Sequence, residues 1–94
     1  MSKASDLAHI CKILSVETRI RILQLLKNRA FFVGALSARL DVTQGAVSQH
    51  LRILRDAGLV VAEKRGYFVH YRLKEKTLYK WKGMIDTLLA PEKD

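Results

Sequence analysis

Between positions 43 and 58 the chain offers Ser48, Gln49, Arg52 and Arg55, preceded by Gln44 and Gly45, all lying off the apolar side of a helical period. Hydroxyl, amide and guanidinium groups on a rod are suited to hydrogen bonding with base edges in a DNA major groove and to holding phosphates. The alternative reading is a solvated helix face, which uses the same residue types. Other chemistry has less to stand on. The acidic residues are scattered without a convincing pair, and the single cysteine has no evident histidine base. No serine sits in a nucleophile motif, and there is no glycine-rich phosphate loop. His9 and Cys11, two positions apart on a helix, point to roughly opposite sides and make a poor chelate. No catalytic residue, metal ligand or cofactor is therefore expected, and the chain is not read as an enzyme.

Side chains that read a groove need a rigid support. Val47, Leu51 and Leu54 recur at i, i+4, i+7, the spacing of a buried stripe. Thr43 predicts an N-cap, since its hydroxyl can accept from a free first-turn N–H. Gly58 predicts the stop, because it tolerates the left-handed conformation that ends many helices. Upstream, a brief helix from Val33 or Gly34 to Leu40 and a tight turn at Asp41-Val42 complete a helix-turn-helix. In that geometry the second helix lies in the groove and the first braces it. After Gly58 the period falls from 3.6 to 2. Strands over 59–64 and 67–73, joined by a turn at Lys64-Arg65-Gly66, predict a hairpin with a basic tip. Val69, Tyr71 and Leu73 share one face of the second strand, and Phe68, His70 and Arg72 the other. Such a wing can lie along phosphates or in the adjacent minor groove.

The rest of the chain frames this unit. Ninety-four residues fit one small domain, 1–94. The balance of 17 basic against 9 acidic residues, a net +8, favours a polyanionic partner: nucleic acid or an anionic membrane surface. A single cysteine rules out an internal disulfide framework. No apolar run approaches the roughly 18–20 residues of a membrane span. The first six residues have no apolar core like that of a signal peptide, so a cytoplasmic location is expected. Leu7, Ile10, Cys11 and Leu14 predict an opening amphipathic helix, about 5–14. Ser15 is expected to cap a second helix, with Glu17 in its first turn, Ile20, Leu23, Leu25 and Leu26 as its apolar side and Asn28 as terminator. Residues 30–34 read as a bend with a short extended piece. Residues 75–90 return to helical period, with Leu78, Trp81, Ile85 and Leu88 as a stripe widened by Met84 and Leu89. Gly83 weakens that helix without breaking it. Pro91 falls in the frayed tail.

A small domain cannot easily bury both terminal stripes. Leu7, Ile10, Cys11, Leu14, Leu78, Trp81, Ile85 and Leu88 are therefore candidates for a homodimer interface. The alternative is that both stripes complete the monomer's core. The expected fold class is mainly α with a small β-hairpin, a winged helix-turn-helix of order α-α-α-α-β-β-α, homodimeric.

This order resembles the ArsR/SmtB family of winged-helix repressors over nearly the whole chain. Residues 14–23, LSVETRIRIL, are similar to the family's L-x-D-x-T-R-L-R-I-L. Residues 43–51, TQGAVSQHL, are similar to its S-Q-x-x-V-S-x-H-L recognition helix. Leu54 with residues 57–60 matches L-x-x-A-G-L-V, and Gly66 with residues 69–73 matches the wing's G-x-x-V-x-Y-R-L. The resemblance implies a homodimer that binds a palindromic double-stranded operator, blocks transcription and is released by an inducer, often a metal ion. Many metal-sensing members carry Cys-x-Cys where this chain has Phe32, Val33 and Gly34. Others place Asp and His ligands on the final helix, where this chain has no histidine after His70. The inducer is left open. Cys11 either packs as a small hydrophobe or meets its mate across the interface as a redox switch.

On this reading Gln44, Ser48, Gln49 and Arg52 read or flank bases, with Gly45 beside them. Thr43, His50, Arg55, Lys64 and Arg65 hold phosphates. His50 matches the family's recognition-helix histidine, and it either braces the helix or touches a phosphate. Tyr67 stands where the family often has a basic residue, and His70 is expected to be exposed. The rival functions are a winged-helix module that docks on protein through Tyr67 and Phe68, and a redox- or metal-responsive repressor using Cys11.

Overall fold

The computed structural model describes residues 3–92, so Met1, Ser2, Lys93 and Asp94 of the expected 1–94 unit lie outside the described residues. Five helices and three strands follow one another as α1 (Lys3–Leu14), α2 (Glu17–Leu26), β1 (Phe31–Phe32), α3 (Val33–Leu40), α4 (Gln44–Asp56), β2 (Val60–Arg65), β3 (Phe68–Leu73) and α5 (Glu75–Leu89). The apolar side chains meet in a continuous core. Ile10 and Ile13 enter from α1, Ile22, Leu23 and Leu26 from α2, and Leu36 and Leu40 from α3. Val47, Leu51 and Leu54 enter from α4, and Trp81 from α5. Phe31, Leu59 and Val60 close it on the sheet side.

The helix-turn-helix forms for the reasons its sequence contains. Thr43 caps α4, its Oγ1 accepting from the Ala46 N–H at 3.1 Å. The turn before it is tight because Asp41 takes a left-handed conformation, φ 55°, which a short polar side chain tolerates. Ser37 secures the turn from both sides. Its hydroxyl donates to the Val42 carbonyl, and its own carbonyl accepts from the Val42 N–H. Helix α4 ends in a Schellman arrangement around Gly58, φ 79°. The Gly58 N–H donates to the Arg55 carbonyl and the Leu59 N–H to the Leu54 carbonyl, both at 2.9 Å. Leu54 and Leu59, fully buried, supply the hydrophobic contact that accompanies this motif.

The chain enters β2 directly from that stop. β2 and β3 pair antiparallel, Val60 opposite Leu73 through Arg65 opposite Phe68. Gly66 and Tyr67 form the two-residue connection, and Lys64 and Arg65, expected in the turn with Gly66, instead end β2. Gly66 alone of the pair has positive φ, which fits a type II′ hairpin. The wing is a three-stranded sheet in the order β1-β3-β2, because the short piece at Phe31–Phe32 adds to β3. The sequence indicated the extended piece but not its partner.

Four expectations about the helices need correction. Ser15 does not cap α2: its hydroxyl donates back to the Lys12 carbonyl at 2.7 Å and so closes α1, while Val16 holds the N-cap position without a side-chain bond. In α2 it is Ile22, not Ile20, that joins Leu23 and Leu26 in the core, and Ile20 is 41% exposed. In α1 the core face is Ile10 with Ile13, which leaves Cys11 exposed and excludes it as a packed hydrophobe within this chain. A helix with apolar residues at 7, 10, 11, 13 and 14 supports two overlapping stripes, and packing against α2 and α5 selects the second. Finally, Ile10 and Trp81, at 3% and 8% exposure, sit in the chain's own core and have almost no surface left for a partner.

Candidate nucleic-acid interface

Helix α4 divides cleanly. Its apolar stripe is fully buried, and Gln44, Gly45, Ser48, Gln49, Arg52 and Arg55 are all exposed. Thr43 is exposed too, with its hydroxyl engaged in the cap. Among the described residues, Arg52 and Arg55 have no ion-pair or hydrogen-bond partner, so their guanidinium groups are available to an incoming anion. A Cβ built on Gly45 would meet no atom within 4 Å, so the protein's own packing does not require glycine there. The missing side chain keeps the helix surface low.

The wing carries the second group of cations. Lys64 is exposed and unpaired among the described residues. Arg65 is exposed but shares Glu63 with Arg72: its Nη2 lies 3.4 Å from Glu63 Oε2, and Arg72 Nε bonds Oε1. Arg72 first and Arg65 second hold the Glu63 carboxyl below its ordinary pKa, so it stays ionised and partly offsets the wing's charge. Tyr67, at the tip, is 100% exposed. Phe68 and Val69 beside it are also exposed, giving the tip an apolar cap between basic flanks.

Phe32 ties this wing to the helix-turn-helix. The register places Phe32, His70 and Glu63 in one cross-strand row on the sheet face away from the core. The Phe32 ring centroid lies 4.9 Å from that of Phe68 and 5.7 Å from that of His70, the second contact edge-on. A Cβ at Gly34 would come within 3.1 Å of the Phe32 ring, which would have to give by a few tenths of an ångström, and would meet Gln44 Nε2 at an ordinary contact distance of 3.6 Å, so glycine eases the seating of the ring. An aromatic ring thus sits at the start of α3, between the wing and the helix-turn-helix. His70 is not the exposed residue expected. It is half-buried against Phe32, and its Nδ1 is buried without a hydrogen-bond partner. Alternation along β3 correctly put His70 opposite Val69. What sequence lacked was β1, the strand that covers it.

His50 is half-buried on the flank of α4. Arg19, from α2, donates through Nε to His50 Nδ1 at 3.3 Å and through Nη1 to the Ile13 carbonyl at 3.2 Å. Burial, and then the Arg19 charge, push the imidazole pKa below its usual value, so the ring is neutral at pH 7. Of the two roles expected for His50, bracing is the one with a bond in this structure. Arg19 was not among the residues singled out, although it lies within the second-helix motif.

Of the other interface candidates, Leu7, Leu14, Leu78 and Ile85 are half-buried and Leu88 is 55% exposed. A cleft between α1 and α5 is lined by Leu7, Gly83, Met84 and Leu88 together with Lys3, Lys80 and Thr87. Among the described residues, no three His, Cys, Asp or Glu side chains gather as a metal-binding group. Among the described residues no helix is long and apolar enough to cross a membrane.

Comparison with known proteins agrees with this architecture. Residues 17–61 match the model of the bacterial regulatory protein, arsR family. The chain is 38% identical over 93 residues to the HTH-type transcriptional regulator CmtR of Mycobacterium tuberculosis, covering 98% of this chain and 79% of that protein. It is 39% identical over 79 residues to the transcriptional activator HlyU of Vibrio cholerae, covering 84% of this chain and 70% of that one. The solved structure of reduced HlyU superposes with a TM-score of 0.74 at 34% identity, over 95% of each chain. A possible transcriptional regulator for arsenical resistance superposes with a TM-score of 0.79 at 35% identity, over 85% of this chain and 83% of that one. With its helix-turn-helix, three-stranded wing and flanking helices, the chain belongs to the ArsR family of transcriptional regulators, as a winged helix-turn-helix protein.

Proposed function

We propose that the protein is a sequence-specific transcriptional repressor that binds a palindromic operator as a homodimer, in the cytoplasm and without enzymatic activity. The carrying observation is helix α4, whose stripe of Val47, Leu51 and Leu54 is fully buried while every expected base-facing residue is exposed. Gln44, Ser48, Gln49 and Arg52 read bases across Gly45. Thr43, Arg55, Lys64, Arg65 and Tyr67 meet the phosphate backbone and groove edge, and His50 sets the helix. The net charge of +8 supports this partner, and counterion release makes the binding strongly salt-dependent. The dimer forms through α1 and α5, by way of Leu7, Cys11, Leu14, Leu78, Ile85 and Leu88. Two α4 helices related by a twofold axis then meet successive major grooves.

The test is selection of bound duplexes from a random pool, followed by titration. A palindromic motif with half-sites about one helical turn apart is the expected product. Arg52→Ala then weakens the selected duplex by about 1–3 kcal/mol if the guanidinium grips a base edge in two places. Lys64→Ala weakens all sequences alike and lowers the salt slope by about 1. A pool that yields no enriched motif rejects sequence-specific binding.

A further inference from the structure

Arg19 stands in the first turn of α2, where the helix dipole disfavours a cation. It is also half-buried. Its guanidinium leaves its own helix and makes two directed bonds: Nη1 to the Ile13 carbonyl in the last turn of α1, 3.2 Å, and Nε to His50 Nδ1 on α4, 3.3 Å. The Ile13 carbonyl is one of the four that α1 leaves unpaired at its end. One planar group therefore joins three helices. We propose that Arg19 is a positioning residue for DNA recognition, tying the end of α1 to the recognition helix through a neutral His50 whose remaining ring proton sits on Nε2.

The chemistry of the bridge fixes the state of the ring. A guanidinium has donors only, so His50 Nδ1 must accept and the proton must reside on Nε2. Protonating Nδ1 would remove the acceptor and set one cation against another. Burial and the Arg19 charge both oppose that protonation, and Arg19 is the charged group that acts on the ring. Lysine at 19 would keep the charge but, as a compact point donor on a flexible stem, would not hold both acceptors in one fork. His50 lies between Gln49 and Arg52, so the rotation of α4 about this tether decides where those side chains point. The proposal rests on the reading of α4 as the DNA-contacting helix.

The experiment separates the two ideas. Imidazole nitrogen spectra of the free wild-type protein are expected to report a neutral, Nε2-protonated His50 at pH 7. A ring protonated at that pH, or carrying its proton on Nδ1, would overturn the bridge whatever the DNA results. Affinities are then measured for the selected duplex and for a scrambled duplex of equal length. Arg19→Lys is expected to lower their ratio about tenfold, the loss of one charge-assisted hydrogen bond. Affinity for the scrambled duplex and its salt slope should hold, because no phosphate-facing charge is removed. The wild-type ratio is expected to fall as pH drops through the His50 titration, because protonated Nδ1 no longer accepts from Arg19, and His50→Asn, which keeps an acceptor near the Nδ1 position and cannot titrate, is expected to retain the ratio without that fall. A ratio kept by Arg19→Lys, or lost equally in His50→Asn, overturns the proposal. Should Arg19→Lys fail to fold, the wild-type spectra and His50→Asn decide. A wild-type protein that binds both duplexes alike would instead reject the parent reading.

Discussion

Helices α4 and α5 are both amphipathic, yet the chain completes only one of them. In α4 the whole stripe of Val47, Leu51 and Leu54 lies inside the core, and the polar face is left entirely to solvent. In α5 only Trp81 is buried; Leu78, Met84 and Ile85 are half-covered, and Leu88 and Leu89 are 55% and 74% exposed. The stripe of α5 runs past the edge of the core. A finished apolar side fixes a helix's rotation and so aims its polar face. An unfinished one leaves hydrophobic area that a second chain can bury, at roughly 25 cal/mol per Å² removed from water. The two helices are therefore where the two proposed partners would be met, a polyanion on the first and a second copy of the chain on the other.

The largest contrast should come from truncating a leucine on each. Leu51→Ala leaves a void under a fully buried side chain and is expected to destabilise the fold by about 2–5 kcal/mol. Leu89→Ala, on the exposed end of α5, should change the stability of the dilute protein by no more than about 0.5 kcal/mol. Thermal melts at low concentration compare them directly, and similar losses would erase the distinction between the helices. Next in size is the association itself. Leu88→Glu with Leu89→Glu places two carboxylates on the uncovered stripe. Sedimentation equilibrium is expected to give a dimer dissociation constant raised by about tenfold or more, with helix content unchanged. An unaltered constant would move the interface away from the end of α5.

The same contrast explains what sequence could disclose. Helix α4 was legible to its caps because its signals are local: Thr43, the stripe and Gly58 each act within one turn. The extent of α3 and the existence of the hairpin were legible for the same reason. Whatever depended on a distant neighbour was not. Cys11 and Ile13 compete for the core side of α1, and only packing against α2 and α5 chooses between them. His70 seemed a surface residue because Phe31–Phe32 gave no sign of pairing with β3. Ser15 could serve either the helix before it or the one after, and the short turn at Ser15-Val16 gave it to the first. Arg19 was invisible as a brace because its two acceptors lie on other helices. The roles of the exposed residues on α4 were legible only as types of chemistry, since exposure permits contact without naming the base contacted.

Two glycines sharpen the comparison at a smaller scale. A methyl group at Gly45 or at Gly83 would meet nothing within 4 Å. Alanine at either is expected to stabilise its helix, by about 1 kcal/mol at Gly83 and somewhat less in the first turn at Gly45. The consequences for DNA should diverge. Gly45→Ala raises the surface of α4 where a base edge would approach, so duplex affinity falls while the melting temperature rises. Gly83→Ala should raise the melting temperature with duplex affinity intact. Calorimetric melts and duplex titrations on the two variants read both effects, and equal affinities would remove Gly45 from the contact surface.

The smallest effect concerns pH. His50 has its pKa lowered below 6.5 in the folded state. The unfolded chain therefore takes up this proton before the folded one does, and stability must fall with falling pH over that interval. The penalty is absent well above 6.5, sets in as pH drops through that value, and levels off once pH is below the folded pKa. Glu63 works in the opposite range. Its carboxyl is held below 4.5, so the stability it lends is present above that value and is lost only in more acid solution. Between pH 7 and about 5.5 the difference in stability between wild type and His50→Asn thus isolates the histidine. Urea titrations should find the wild type losing ground to the variant as acid is added across that window. A constant difference would mean that the ring titrates alike folded and unfolded, and that the pocket made by α2 and α4 exerts no hold on its charge.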